Sequence, residues 1–66
     1  MAVAKVIELI SEGKSVEDAI ENALLEAAKT VKNIKHVYAE GIQAIVENNT
    51  IKTYRINAKV TFIVNS

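Results

Sequence analysis

Between Tyr54 and Val64 every second residue is apolar. Tyr54, Ile56, Ala58, Val60, Phe62 and Val64 alternate with Arg55, Asn57, Lys59, Thr61 and Ile63. A period of two belongs to a strand, whose successive side chains leave on opposite faces. The segment therefore predicts a long strand with one apolar face and another that is polar in its middle. A slip of one residue would exchange the two faces, so the register is tightly specified. An apolar sheet face has to be buried against another element, and the rest of a 66-residue chain must supply it.

The covering element is a helix predicted from Ser15 to about Lys32. Ser15 is a good N-cap, because its hydroxyl accepts from an orphan backbone N–H of the first turn. Asp18 stands three residues on, near a capping-box position. Glu17, Asp18 and Glu21 crowd the positive end of the helix dipole, and Lys29 and Lys32 the negative end. Val16, Ala19, Ile20, Ala23, Leu24, Ala27 and Val31 recur at helical spacing and define a core stripe. Leu25 lies off that stripe, between Glu21 and Lys29, and is a candidate subunit contact.

Ala2 to Ile10 is rich in β-branched residues and reads as a strand that stops at Ser11-Glu12-Gly13-Lys14. Ile34 to Glu47 returns to period two. Asn48-Asn49 then makes a hairpin turn, since Asn tolerates positive φ. The order is β-α-β-β, an α+β fold in one domain over residues 1–66. The hairpin is antiparallel, and a helical crossover favours a parallel outer pair. The simplest sheet is therefore 1-3-2, with the last strand in the middle and antiparallel to both neighbours. The hairpin outruns its helix, leaving apolar surface and the polar face (Arg55, Asn57, Lys59, Thr61) in need of neighbours or water.

Half of the residues are hydrophobic, yet a chain below ~70–80 residues rarely stabilises itself on one core without a staple. With no Cys there is no disulfide, thiolate zinc site or thiol nucleophile. Self-association is the staple that remains. Lys+Arg and Asp+Glu balance at 8 each, which argues against nucleic acid or an anionic membrane as partner. No apolar run approaches the ~20 residues of a membrane span. No signal peptide is visible, and Met1-Ala2 reads as a cytoplasmic start.

Little in the sequence carries chemistry, so an enzyme is not expected. His36 is the only side chain that ordinarily titrates near neutrality, and a general base needs a pocket and an orienting partner besides. Ser11, Ser15 and Ser66 have no nucleophile context. The carboxylates lack calcium-loop spacing, and there is no Gly-rich phosphate loop. Glu17, Asp18 and Glu21 read as an acidic first turn. Tyr38 and Tyr54 offer rings for stacking, Tyr54 from the apolar face.

Several segments resemble the dodecin family. They are Lys5-Val6-Ile7-Glu8-Leu9, Ser15 through Ala23, Ala28 through Lys35 and Tyr54 through Phe62. The resemblance implies a β-α-β-β subunit whose sheet curls around one helix. It also implies a shell of twelve copies with 23 symmetry. In its flavin-binding members, rings are held in pairs between tryptophans at a two-fold interface. Those members carry Asn-Ile-Arg-Trp after the helix, where this chain has Asn33-Ile34-Lys35-His36. They carry Tyr-Gln in the last strand, where this chain has Tyr54-Arg55. The acidic residue they often carry five positions past the Trp is Gly41 here.

By that resemblance His36, Arg55, Tyr38 and Gly41 line the pocket equivalent to the flavin site. Imidazole has a smaller stacking face than indole. Arg only donates hydrogen bonds, where Gln both donates and accepts, and it favours anionic or carbonyl-rich ligands. The expected function is small-molecule binding or storage, with a flavin or nucleotide-type ligand in a modified pocket. The Tyr-Arg-Ile pattern also resembles calcium-binding members, so a calcium-binding assembly is the alternative, and a ligand-free structural assembly a third.

Overall fold

A computed structural model describes residues 2–65; Met1 and Ser66, and with them the readings placed on those two residues, lie outside the described residues. The order is strand β1 (Ala2–Gly13), helix α1 (Val16–Ala28), strand β2 (Ile34–Glu47) and strand β3 (Thr50–Asn65). The sheet runs β1-β3-β2, with both pairings antiparallel, as the sequence predicts.

The alternation in β3 does what its period requires. Ile56, Ala58, Val60 and Phe62 are buried under the helix. The facing stripe on α1 is Ala19, Ala23 and Ala27, all buried, with Val16 and Ile20 packed at the border. Alanine on the contact line brings the helix close to the sheet. At Gly13 an added Cβ would stand 2.5 Å from the backbone nitrogen of Ala19.

Ser15 caps the helix as expected, its hydroxyl accepting from the Asp18 N–H at 3.0 Å. Asp18 does not close a capping box on Ser15. Its carboxylate accepts instead from the N–H of Lys14, one residue earlier, at 3.2 Å. Ser11, the other described serine, donates its hydroxyl to the Ala19 carbonyl at 2.8 Å and ties β1 to α1.

Two boundaries and one period differ from the sequence reading. Strand β1 runs on through Ser11-Glu12-Gly13, because β3 is long enough to pair with it: Ser11 faces Ile56, Glu12 faces Arg55 and Gly13 faces Tyr54. Helix α1 ends at Ala28 rather than Lys32. The Ala27 carbonyl is shared by the N–H groups of Thr30 and Val31, and the chain then reverses at Asn33, φ 62°. This reversal lets the Asn33 carbonyl accept from Ile63. Lys29 is thus the C-cap and pairs with Glu26 at 3.0 Å, and Lys32 and Val31 lie beyond the helix. The period of β2 is not a clean two. Its register with β3 shifts between Ile34 and His36, between Glu40 and Gln43, and between Ile45 and Val46. The hairpin turn at Asn48 (φ 53°) and Asn49 (φ 59°) has the positive φ pair that matches strand twist.

The molecule is long and thin, 52 × 19 × 13 Å, with a radius of gyration of 13.6 Å, against ~11 Å for a compact chain of this length. It exposes 4783 Å², where a compact monomer of its mass exposes about 4,100 Å². The excess comes from the hairpin. Strand β1 reaches only as far as Tyr54, and the 13-residue helix covers only ~20 Å at ~1.5 Å per residue. Beyond Tyr54 the hairpin is a bare two-stranded arm whose Val46 and Ile51 side chains are exposed. Leu25 on the helix is 56% exposed.

Candidate functional site

The face of the sheet opposite the helix gathers the polar side chains. Register stacks them in rows across β1, β3 and β2: Val6, Thr61 and His36; Glu8, Lys59 and Tyr38; Ile10, Asn57 and Glu40; Glu12, Arg55 and Gln43. The bulge between Ile34 and His36 sets this phase. Ile34 pairs with the buried Phe62 and Val37 packs on the core, so His36 and Tyr38 take the helix-free side. The bulge between Glu40 and Gln43 keeps both of those residues on that side as well.

Gly41 makes the second bulge possible. Its φ is +61°, in the left-handed region that glycine enters at no steric cost. The Asn57 amide folds over it, so that an added Cβ would stand 2.6 Å from Asn57 Nδ2. Glu8, Ile10, Glu40, Asn57 and Lys59 line an open groove of about 360 Å³ at the middle of this face. Ile10, 71% exposed, is the most exposed apolar side chain of its lining.

The charges on the face are paired with one another. Lys59 Nζ lies 3.1 Å from Glu40 Oε1 and 3.9 Å from Glu8 Oε1, bridging the three strands. The hydrogen bond to Glu40, then its charge, raises the lysine pKa above 10.5, with smaller contributions from Glu8 and Tyr38 in the same direction. Arg55 donates from Nε at 3.0 Å and from Nη2 at 2.7 Å to one carboxylate oxygen of Glu12.

Of the four residues expected to line a pocket, His36 and Tyr38 are neighbours on β2, and Gly41 lies against the Asn57 side chain, which lines the groove. Arg55 is not with His36. His36 faces Thr61, six positions from Arg55, which is roughly 20 Å along the strand at ~3.4 Å per residue. Within one chain the two do not share a pocket. The sequence reading missed Glu8, Glu12 and Glu40 as members of this face. The alternation of Glu8, Ile10 and Glu12 in β1 was the available signal, but which side it faces depends on pairing with β3. Among the described residues no group of three or more His, Cys, Asp or Glu is placed to hold a metal ion. No helix among them is long and apolar enough to cross a membrane.

A three-stranded 1-3-2 antiparallel sheet with one helix on one face and a charged, grooved opposite face defines a small β-α-β-β subunit. The chain belongs to the dodecin family, whose model matches residues 3–65. Among solved structures, it is similar to the tt0972 protein of Thermus thermophilus, with a TM-score of 0.91 and 25% identity over 100% of this chain and 98% of that one. It also superimposes on the dodecin of Streptomyces davaonensis, with a TM-score of 0.89 and 18% identity over 98% of this chain and 97% of that one. For the dodecin of Streptomyces coelicolor the values are 0.90 and 17%, over 98% and 94%. No curated protein sequence matches the chain.

Proposed function

We propose that this dodecin is a cytoplasmic, non-enzymatic binding protein. Its 66 residues act as one unit of a homo-oligomeric shell of twelve copies, which sequesters a small planar molecule of the flavin or nucleotide-base type. The observation that carries this reading is the helix-free face, where a groove of about 360 Å³ opens beside an exposed Ile10, with the exposed ring of Tyr38 in the next row. An apolar wall with a few converging polar groups is what a small-molecule site requires.

The separation of His36 from Arg55 supports a shared site between copies. A pocket lined by both draws His36 and Tyr38 from one chain and Arg55 from another. The bare hairpin arm and the exposed Leu25 support burial against further copies as well. Calcium, the alternative ligand, would need carboxylates from several chains, because Glu8, Glu12 and Glu40 already face cations within one.

Native mass spectrometry of protein from its own source tests assembly and cargo together. The expected particle is near twelve times 7.2 kDa and carries additional small-molecule mass. A monomer at micromolar concentration would refute the shell. Empty particles with no micromolar affinity for flavins would refute the ligand.

A further inference from the structure

The helix-free face holds two cations, Lys59 and Arg55, and three carboxylates, Glu8, Glu12 and Glu40. Each cation is engaged within the chain, Lys59 by Glu40 and Glu8 and Arg55 by Glu12. We propose that Glu12 sets the charge of the ligand this face accepts, so that the site takes uncharged rings and rejects their phosphorylated forms. This inference rests on the flavin-type binding proposed above.

The argument is one of competition. A phosphate monoester carries about −1.5 to −2 charges near neutral pH, and arginine is its usual bidentate partner. On this face the Nε–Nη2 edge of Arg55 is already taken, both nitrogens donating to Glu12 Oε2. A phosphate that took this edge would have to displace the carboxylate, and one that took the remaining N–H groups would sit beside it. Lys59 offers no relief, since its ammonium sits between two further carboxylates. The two cations and three carboxylates leave one negative charge in excess among them. An uncharged ring meets no such penalty. It stacks on apolar and aromatic surface and finds donors and acceptors in the Asn57 amide, which borders the groove.

The pairing also explains why Arg55 does not by itself make an anion site. The sequence presents a lone cation in the middle of a strand. The structure presents the same cation opposite Glu12, 43 residues earlier.

The test is a fluorescence titration of the assembled protein with riboflavin and with its 5′-phosphate, for the wild type, Glu12→Gln and Arg55→Gln. For the wild type, riboflavin is expected to bind on the order of tenfold more tightly than the phosphate ester, as expected for like charge brought together at a binding face. Glu12→Gln frees the guanidinium and should shrink or reverse that ratio. Arg55→Gln leaves Glu12 unopposed and should widen it. A merely structural role for the pair would weaken both ligands together in both variants and leave the ratio fixed, which would overturn the inference. Equal or tighter wild-type binding of the phosphate ester would overturn it too, while leaving flavin binding intact. Binding of neither form would remove the flavin-type reading and the charge selection together.

Discussion

The side-chain amide of Asn57 occupies the space where a side chain on residue 41 would begin, 2.6 Å from the Cβ position of Gly41. The bulge in β2 depends on this fit, and Asn57 lines the groove beside it. Gly41→Ala meets two obstacles of different size. The amide lies at the end of a flexible, exposed side chain and can swing away. The φ of +61° cannot relax without undoing the bulge, and a Cβ in that region costs about 1–2 kcal/mol. We expect Gly41→Ala to lower stability by about that amount. Gly41→Asn should cost less, because Asn tolerates the left-handed region. Asn57→Ala in the Gly41→Ala background should restore little. Denaturant melts at fixed protein concentration would show the order, and a full rescue by Asn57→Ala would mean that the clash, not the backbone, dominates.

Gly13 has no positive φ and is the more demanding of the two glycines. An added Cβ there meets the Ala19 nitrogen at 2.5 Å and the Asp18 carbonyl carbon at 2.8 Å, both backbone atoms near the start of the helix. Neither can rotate away. Gly13→Ala must push the first turn of α1 off the sheet, disturbing the burial of Ala19 and the cap formed by Ser15. Overpacking of this kind costs ~1–3 kcal/mol where side chains can yield, and here the backbone has to. The expected loss is above ~3 kcal/mol, read as failure to fold or as a thermal midpoint well below that of Gly41→Ala. A Gly13→Ala protein as stable as Gly41→Ala would contradict the close helix–strand contact.

The strand from Tyr54 to Val64 was legible because its alternation, its turn at Asn48-Asn49 and its central place in the topology all point the same way. Alanine at 19, 23 and 27 marked the helix contact by spacing alone. The helix end was not legible. Lys29, Val31 and Lys32 continue both propensity and stripe, and the stop is imposed from outside, by the need to bring the Asn33 carbonyl to Ile63. The charge pairs on the far face were hidden for a related reason. Glu12 meets Arg55 only if β1 runs three residues past its apolar part. Nothing local in Ser11-Glu12-Gly13 announces that extension.

Leu25 and Val46 separate a self-sufficient chain from one that needs its own copies. Both are more than half exposed, and a lone exposed apolar side chain is ordinary. On a monomer, Leu25→Glu and Val46→Lys should change stability by no more than ~0.5 kcal/mol. In the proposed shell they place a charge in a subunit contact. We therefore expect each to reduce the particle mass measured by light scattering and to lower the thermal midpoint at fixed protein concentration. An unchanged mass for both variants would place the subunit contacts elsewhere on the chain.

Lys59 gives the fold an alkaline limit of its own. Its pKa is raised above 10.5, first by the hydrogen bond to Glu40 and then by that carboxylate's charge. A cationic group whose pKa is higher in the folded than in the unfolded chain stabilises the fold while it stays protonated in both states. The stabilisation is therefore complete below pH 10.5 and is lost as the pH climbs through the folded value above it. Lys59→Gln removes the charge at every pH. The wild type should be more stable than the variant at neutral pH, and the gap between their thermal midpoints should close only on the alkaline side of 10.5. Because both partners are partly open to solvent, high salt should narrow the same gap. A gap that stays constant through the alkaline range, or one that opens there, would show that Lys59 acts through its aliphatic stem against the sheet and not through its charge between Glu8 and Glu40.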